Sequence, residues 1–220
     1  VPVRLRRVPV TLLDPPMRLL ETIRRIANRI RTRAVDALLR DRVEIRGRFD
    51  VALYDVDDLR REIDDWDDLG KLEKHRALRD SGVDPVESQT TWNTTVEGMH
   101  KYIVDNLDPG QNVNESASHL AVGRDNTGPT TSDAALGDEV YRTEITEVID
   151  NGRNLTTSTF LDSTEANVDT DAGEELREAA IYTDTAANGG FMLNRALITE
   201  IAKDDSKTAT VDVELQFRAA

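Results

Sequence analysis

Cysteine is absent, so neither disulfides nor thiolate metal sites hold this 220-residue chain together. Lysine is nearly absent: it stands only at positions 71, 74, 101, 203 and 207, which leaves 23 arginines among the 28 basic residues. Aromatic residues make up 5%, too few to interleave with basic side chains as stacking platforms for single-stranded nucleic acid. No apolar run approaches the roughly 18 residues of a membrane-spanning helix. The opening stretch VPVRLRRVPVTLLDPP lacks the continuous apolar core of a secretory signal. Synthesis in the cytoplasm without export by the usual route is therefore the expectation.

Carboxylates are plentiful: 42 acidic residues give a net charge of −14. Many carboxylates with few lysines make a surface that holds water and cations, which suits concentrated salt, where charge screening is nearly complete. A haloarchaeal setting is expected on that ground. The charge is unevenly divided. Residues 1–48 hold 13 arginines against Asp14, Glu21, Asp36, Asp41 and Glu44, a net of +8, so the remainder carries −22. The split reads as a basic anchoring arm on an acidic body.

Apolar spacing divides the chain further. Residues 1–13 alternate loosely around Pro2 and Pro9, as an extended arm does. Asp14-Pro15-Pro16 is a helix start, with a capping carboxylate and then proline. Leu19, Ile23, Ile26, Ile30, Ala34 and Leu38 then recur every three or four residues, with arginines on the other surface. Residues 42–56 keep a period of two, which predicts a strand pair turning near Gly47 or one long strand. Helical spacing returns over 56–80, then a loop over 83–91, then a third helix carrying Trp92, Val96, Met99, Ile103 and Leu107. Beyond residue 110, short apolar runs between Gly, Asn, Asp and Thr turns predict antiparallel strands. The last run, ATVDVELQF, places Val211, Val213, Leu215 and Phe217 on one face. The expected architecture is α+β: a basic arm and helix (1–48), a strand-and-helix connector (49–91), and an antiparallel β-sandwich-like domain (92–220).

Motifs for chemistry are few. AVGRDNTGPTTSDAALGDEVYR (121–142) has Gly123 and Gly128 at phosphate-loop spacing, but Pro129 stands where the lysine belongs and removes a backbone N–H. Nucleotide binding is therefore not expected. His75, His100 and His119 share no ligand spacing and are read as surface or packing residues. In NVDTDAGEELRE, Asn167, Asp169 and Asp171 alternate as calcium ligands do, with Glu178 eleven residues after Asn167. Position six is Ala172 instead of glycine, so a solvated acidic loop is expected, with a loose cation site as the alternative. Glycosylation sequons occur at Asn93, Asn114 and Asn154. No catalytic constellation and no cofactor site is predicted.

Taken together, residues 92–217 resemble a domain of tail-fibre, collar and related structural proteins of tailed phages and archaeal tailed viruses. The resemblance rests on HLAVGRDNTGPTTSDAALGDEVYR, REAAIYTD, NGGFMLNRALI and IAKDDSKTATVDVELQF, in that order and spacing. Its motif positions are Gly123, Gly128, Pro129, Leu136, Glu139, Arg142, Glu178 and Arg195. Under it, Pro129 belongs to a strand-to-strand loop that packs a turn from Gly123 to Thr131. The chain departs from the pattern at Ala179-Ala180 and at Arg124-Asp125-Asn126. The resemblance implies a non-enzymatic virion protein, made in the host cytoplasm, and a closed homo-oligomer of three-, five- or sixfold symmetry. A tail, baseplate or fibre-attachment place is the leading expectation, and a capsid turret or decoration protein the alternative. A cell-surface adhesion module or a glycan hydrolase is the reading from other classes.

For the arm, docking on other virion proteins is expected through Arg4, Arg6, Arg7, Arg18, Arg24, Arg25, Arg29, Arg31 and Arg33. Guanidinium forks bind carboxylates bidentately and tolerate partial burial. Concentrated salt removes most of the counterion-release drive toward nucleic acid.

Overall fold

The computed structural model describes residues 43–107, 116–152, 154–183 and 190–219. The predicted arm helix and all nine docking arginines lie outside these residues. The compact unit runs Glu44–Ala220. Residues 49–91, read from the sequence as a connector, lie within that unit.

Among the described residues, ten strands form two five-stranded sheets. The first has the order β2 (Glu87–Trp92), β1 (Val43–Asp55), β10 (Lys207–Ala219), β7 (Asn154–Leu161), β6 (Glu147–Asp150). The second has the order β3 (Thr94–Thr95), β9 (Met192–Ile201), β8 (Leu176–Tyr182), β4 (His119–Gly123), β5 (Glu139–Glu144). Antiparallel ladders join β1 to β2, β10 to β7, β7 to β6, β9 to β3, β9 to β8, β8 to β4, and β4 to β5. The turn expected near Gly47 is not formed: β1 passes straight through it, as the alternative of one long strand has it.

One apolar cluster draws on both sheets, with Phe49, Val51 and Leu53 from β1, Val211, Val213 and Leu215 from β10, Leu120 and Val122 from β4, and Ile181 from β8. Each sheet is also covered on its other face. Ala121, Ala180, Tyr182 and Met192 meet Val96 and Leu136. Phe160 of β7 meets Leu59, Trp66 and Leu78, with the Trp66 and Phe160 rings edge to face at 6.0 Å. Double coverage explains why HLAVG reads as a continuous apolar run, because all five of its residues are buried.

The single helix expected over 56–80 is broken in three. Helix α1 (Val56–Glu62) starts on Asp55, whose carboxylate accepts from the Asp57 and Asp58 amides at 2.9 and 3.3 Å. It stops before Asp65, which takes a left-handed φ of 56°, and a 3-10 turn follows at Trp66–Asp68. Helix α2 (Lys71–Ser81) begins after Gly70 and ends at Gly82, where φ is 70°. The predicted loop 83–91 instead contains most of β2, and Trp92 ends that strand at 60% exposure. Helix α3 therefore starts later than predicted, at Glu97–Leu107, with Met99 in the core. Val211, Val213 and Leu215 are buried as the alternation requires, while Phe217 lies at the rim.

Candidate functional site

The loop joining β4 to β5, residues 124–138, is held by charged groups buried beneath it. Glu178 stands in the middle of β8 with no exposed surface, and Arg195 faces it from β9 at 4% exposure. Ladder register brings them together, since Gly123 pairs with Glu178 and Ala180 with Arg195. The Glu178 carboxylate accepts from the amides of Asp125, Gly137 and Asp138 at 3.3, 3.1 and 2.9 Å. It also accepts from Arg195 Nε at 2.9 Å. Both ends of the loop are thereby tied to one side chain.

Arg195 spends its remaining donors on the same loop. It donates to Asp133 at 2.7 Å, to Asp125 at 3.0 Å and to the Thr127 carbonyl at 3.1 Å. A guanidinium presents five donors in a fixed fork, so it holds three partners at once where an ammonium would hold them loosely. The carboxylates are fixed in turn. Asp125 accepts from the Thr127 amide and hydroxyl at 3.1 and 2.9 Å, and Asp133 accepts from the Thr130 amide and hydroxyl at 2.9 and 2.5 Å. The Thr127 and Arg195 donors hold the Asp125 carboxyl below its usual pKa. For Asp133, burial works the other way, but the Thr130 and Arg195 donors outweigh it and its pKa is also lowered.

A second anchor fixes the far end of the loop. Glu139 and Arg142 form a bidentate pair at 2.9 and 2.6 Å, and the guanidinium lies 3.7 Å over the Tyr182 ring. The Tyr182 hydroxyl accepts from the Leu136 amide at 3.0 Å, and burial pushes its pKa up to about 12. Gly123 has no alternative here: a Cβ would meet the Asp138 carbonyl and Glu178 Oε1 at 2.5 Å each. Outside the anchors, Asn126, Thr127, Gly128, Thr130, Thr131 and Ser132 are exposed. The result is an uncharged hydroxyl and amide surface on an acidic body. The buried groups are saturated with hydrogen bonds and shielded from solvent, so their chemistry is to hold the loop in one conformation.

Six of the motif positions read from the sequence, Gly123, Leu136, Glu139, Arg142, Glu178 and Arg195, meet in this network, while Gly128 and Pro129 lie toward its tip. Asp125, Asp133 and Tyr182 escaped sequence reasoning. The usable signal was a full charge inside an apolar strand, Glu178 in LREAAIY and Arg195 in MLNRALI, because such charges are buried only in pairs.

Asn167, Asp169 and Asp171 line one open pocket with Asp204 and Asp205, and Glu178 is not part of it. Glu178 is committed to Arg195, the Asn167 side-chain oxygen accepts from Lys203 Nζ at 2.8 Å, and Asp169 accepts from the Ala172 amide at 3.0 Å. Among the described residues no three His, Cys, Asp or Glu side chains are grouped to hold a metal. Of the sequons, Asn93 has its side-chain nitrogen buried against β1, where a glycan has no room. Asn154 donates to Glu214 at 2.8 Å, and Asn114 lies outside the described residues. His75 and His119 are buried packing residues.

The chain matches no protein-family model, and neither the curated proteins nor the solved structures contain a match to it.

Proposed function

We propose that this protein is a structural subunit of a tailed virus particle of a salt-adapted archaeal host, placed in the tail, baseplate or fibre attachment. The two sheets face each other as a sandwich. The anchored 124–138 loop is the surface offered to a neighbouring subunit, and the basic arm is the tether. One observation carries this reading: the residues behind the virion-protein resemblance converge on a single buried network that rigidifies an exposed loop. Pre-organising a loop lowers the entropy lost when it docks, which matters where many copies must assemble in register.

Lysine usage supports the salt-adapted setting. Each of the five lysines is engaged within the fold: Lys71 with Glu165 and Lys74 with Asp162, both at 2.9 Å, Lys101 with Asp105, Lys207 with Asp204 at 3.6 Å, and Lys203 wholly buried. Lys71, Lys74 and Lys203 join separate parts of the fold, whereas Lys101 and Lys207 pair with carboxylates four and three residues away.

Because β1 begins at Val43, the test truncation removes residues 1–42. The expected product is a folded, soluble body that fails to enter particles when it replaces the full chain in an infected host. Normal incorporation of the truncated chain overturns the tether.

A further inference from the structure

Lys203 is the one lysine with no exposed surface among the described residues. It sits in the β9–β10 connection, pinned to the β7–β8 connection by a backbone bond from the Val168 amide to its carbonyl at 3.0 Å. Its Nζ donates to the Asp162 carbonyl at 2.9 Å and to the Asn167 side-chain oxygen at 2.8 Å. The Asn167 Nδ2 donates in turn to the Ser163 carbonyl at 2.7 Å, which orients the amide. Ala166, immediately before it, is buried and held at a left-handed φ of 56°. Such strain in a non-glycine residue persists only where the surroundings impose it, and it concentrates at sites with a chemical task. Ala166, Val168, Leu161, Leu176 and Ile201 belong to the main apolar core.

We propose that Lys203 and Asn167 join covalently through a side-chain amide bond. The free amine of Lys203 attacks Asn167 Cγ, a new Nζ–Cγ bond forms, and the Cγ–Nδ2 bond breaks. The lysine ammonium loses its proton to water, and the departing nitrogen takes up a proton and leaves as ammonium. In sum, lysine ammonium and amide become substituted amide and ammonium, so no oxidant or co-reactant is needed. Asn167 is exposed, which gives ammonia an exit.

Burial supplies the nucleophile: it drives the Lys203 pKa down from 10.5 to about 8, with the charges of Asp162 and Glu165 opposing. The free amine is then present near neutral pH, whereas an exposed lysine is almost wholly protonated there. The bond ties two connections together and holds in any salt concentration.

Intact mass spectrometry of the full chain under denaturing conditions tests this directly. The expected mass is lower than the sequence mass by one ammonia, with a branched tryptic peptide joining the segments around residues 167 and 203. Lys203→Met and Asn167→Ala each restore the mass calculated from their sequences. A wild-type chain at full sequence mass after prolonged incubation at mildly alkaline pH in molar salt overturns the proposal. That result leaves the assembly reading untouched, since the 124–138 loop shares none of these groups.

Discussion

Arg195→Met lowers the stability of the body by about 3–5 kcal/mol, the usual cost of removing one partner from a buried ion pair. Glu178 then remains without exposed surface and without its counter-charge, and Asp133 and Asp125 lose the donor that brings them together. Denaturant midpoints measure the loss, and hydrogen exchange locates it, with the Asp125, Gly137 and Asp138 amides exchanging faster than those of β10. Arg124→Ala is the contrasting control. Arg124 also pairs with two carboxylates, Asp138 at 3.0 Å and Glu174 at 2.5 Å, but at 37% exposure. Solvent screens that arrangement, and its removal leaves the midpoint nearly unchanged. Equal effects from the two substitutions would refute the central role given to burial.

The sign of the pH dependence follows from the same network. Asp125 and Asp133 have folded-state pKa values below their ordinary ones. Their contribution is present above the ordinary carboxylate pKa and is lost as pH falls through the lowered value. Arg195→Met removes only the guanidinium share of this dependence, so the acid side of the stability profile flattens in part while the Thr127 and Thr130 donors hold the rest.

Transfer from molar to millimolar salt lowers the melting temperature by at least about 10 °C. At about 2–4 °C per kcal/mol for a chain of this size, that is a few kcal/mol. Residues 49–220 carry −22, and the Debye length grows from about 3 Å at 1 M to about 30 Å at 0.01 M. Carboxylates that ignore one another in brine then repel across the whole body. The Arg195 network, being buried, is the part least affected, so unfolding begins at the exposed acidic loops. Superimposable melting curves at the two salt concentrations would remove the halophile argument.

The strands beyond residue 110 were legible because turn residues punctuate them and their apolar runs have strand length. The helix breaks at Asp65 and Gly70 were not, since Leu59, Ile63, Trp66 and Leu69 keep helical spacing through them. Periodicity records which side chains face the core and says nothing of where the backbone leaves the helix between them. Thr90, Thr91 and Trp92 have the local character of a loop and a helix start, yet β2 forms because β1 offers it a ladder, with Phe49 opposite Thr91. That pairing is non-local and leaves no signature in the local residues. The loop at 124–138 was legible as a loop from Gly128-Pro129, and six of its anchors could be named. What held it was not legible, because Glu178 and Arg195 are 17 residues apart and meet only through the β8–β9 register.

Under the proposed virion role, the full-length chain assembles as a closed homo-oligomer. The most direct test is the molar mass of the full-length protein in molar salt, by light scattering behind a sizing column. A discrete trimer, pentamer or hexamer that stays the same size on dilution is the expected result. A monomer at every concentration would contradict it.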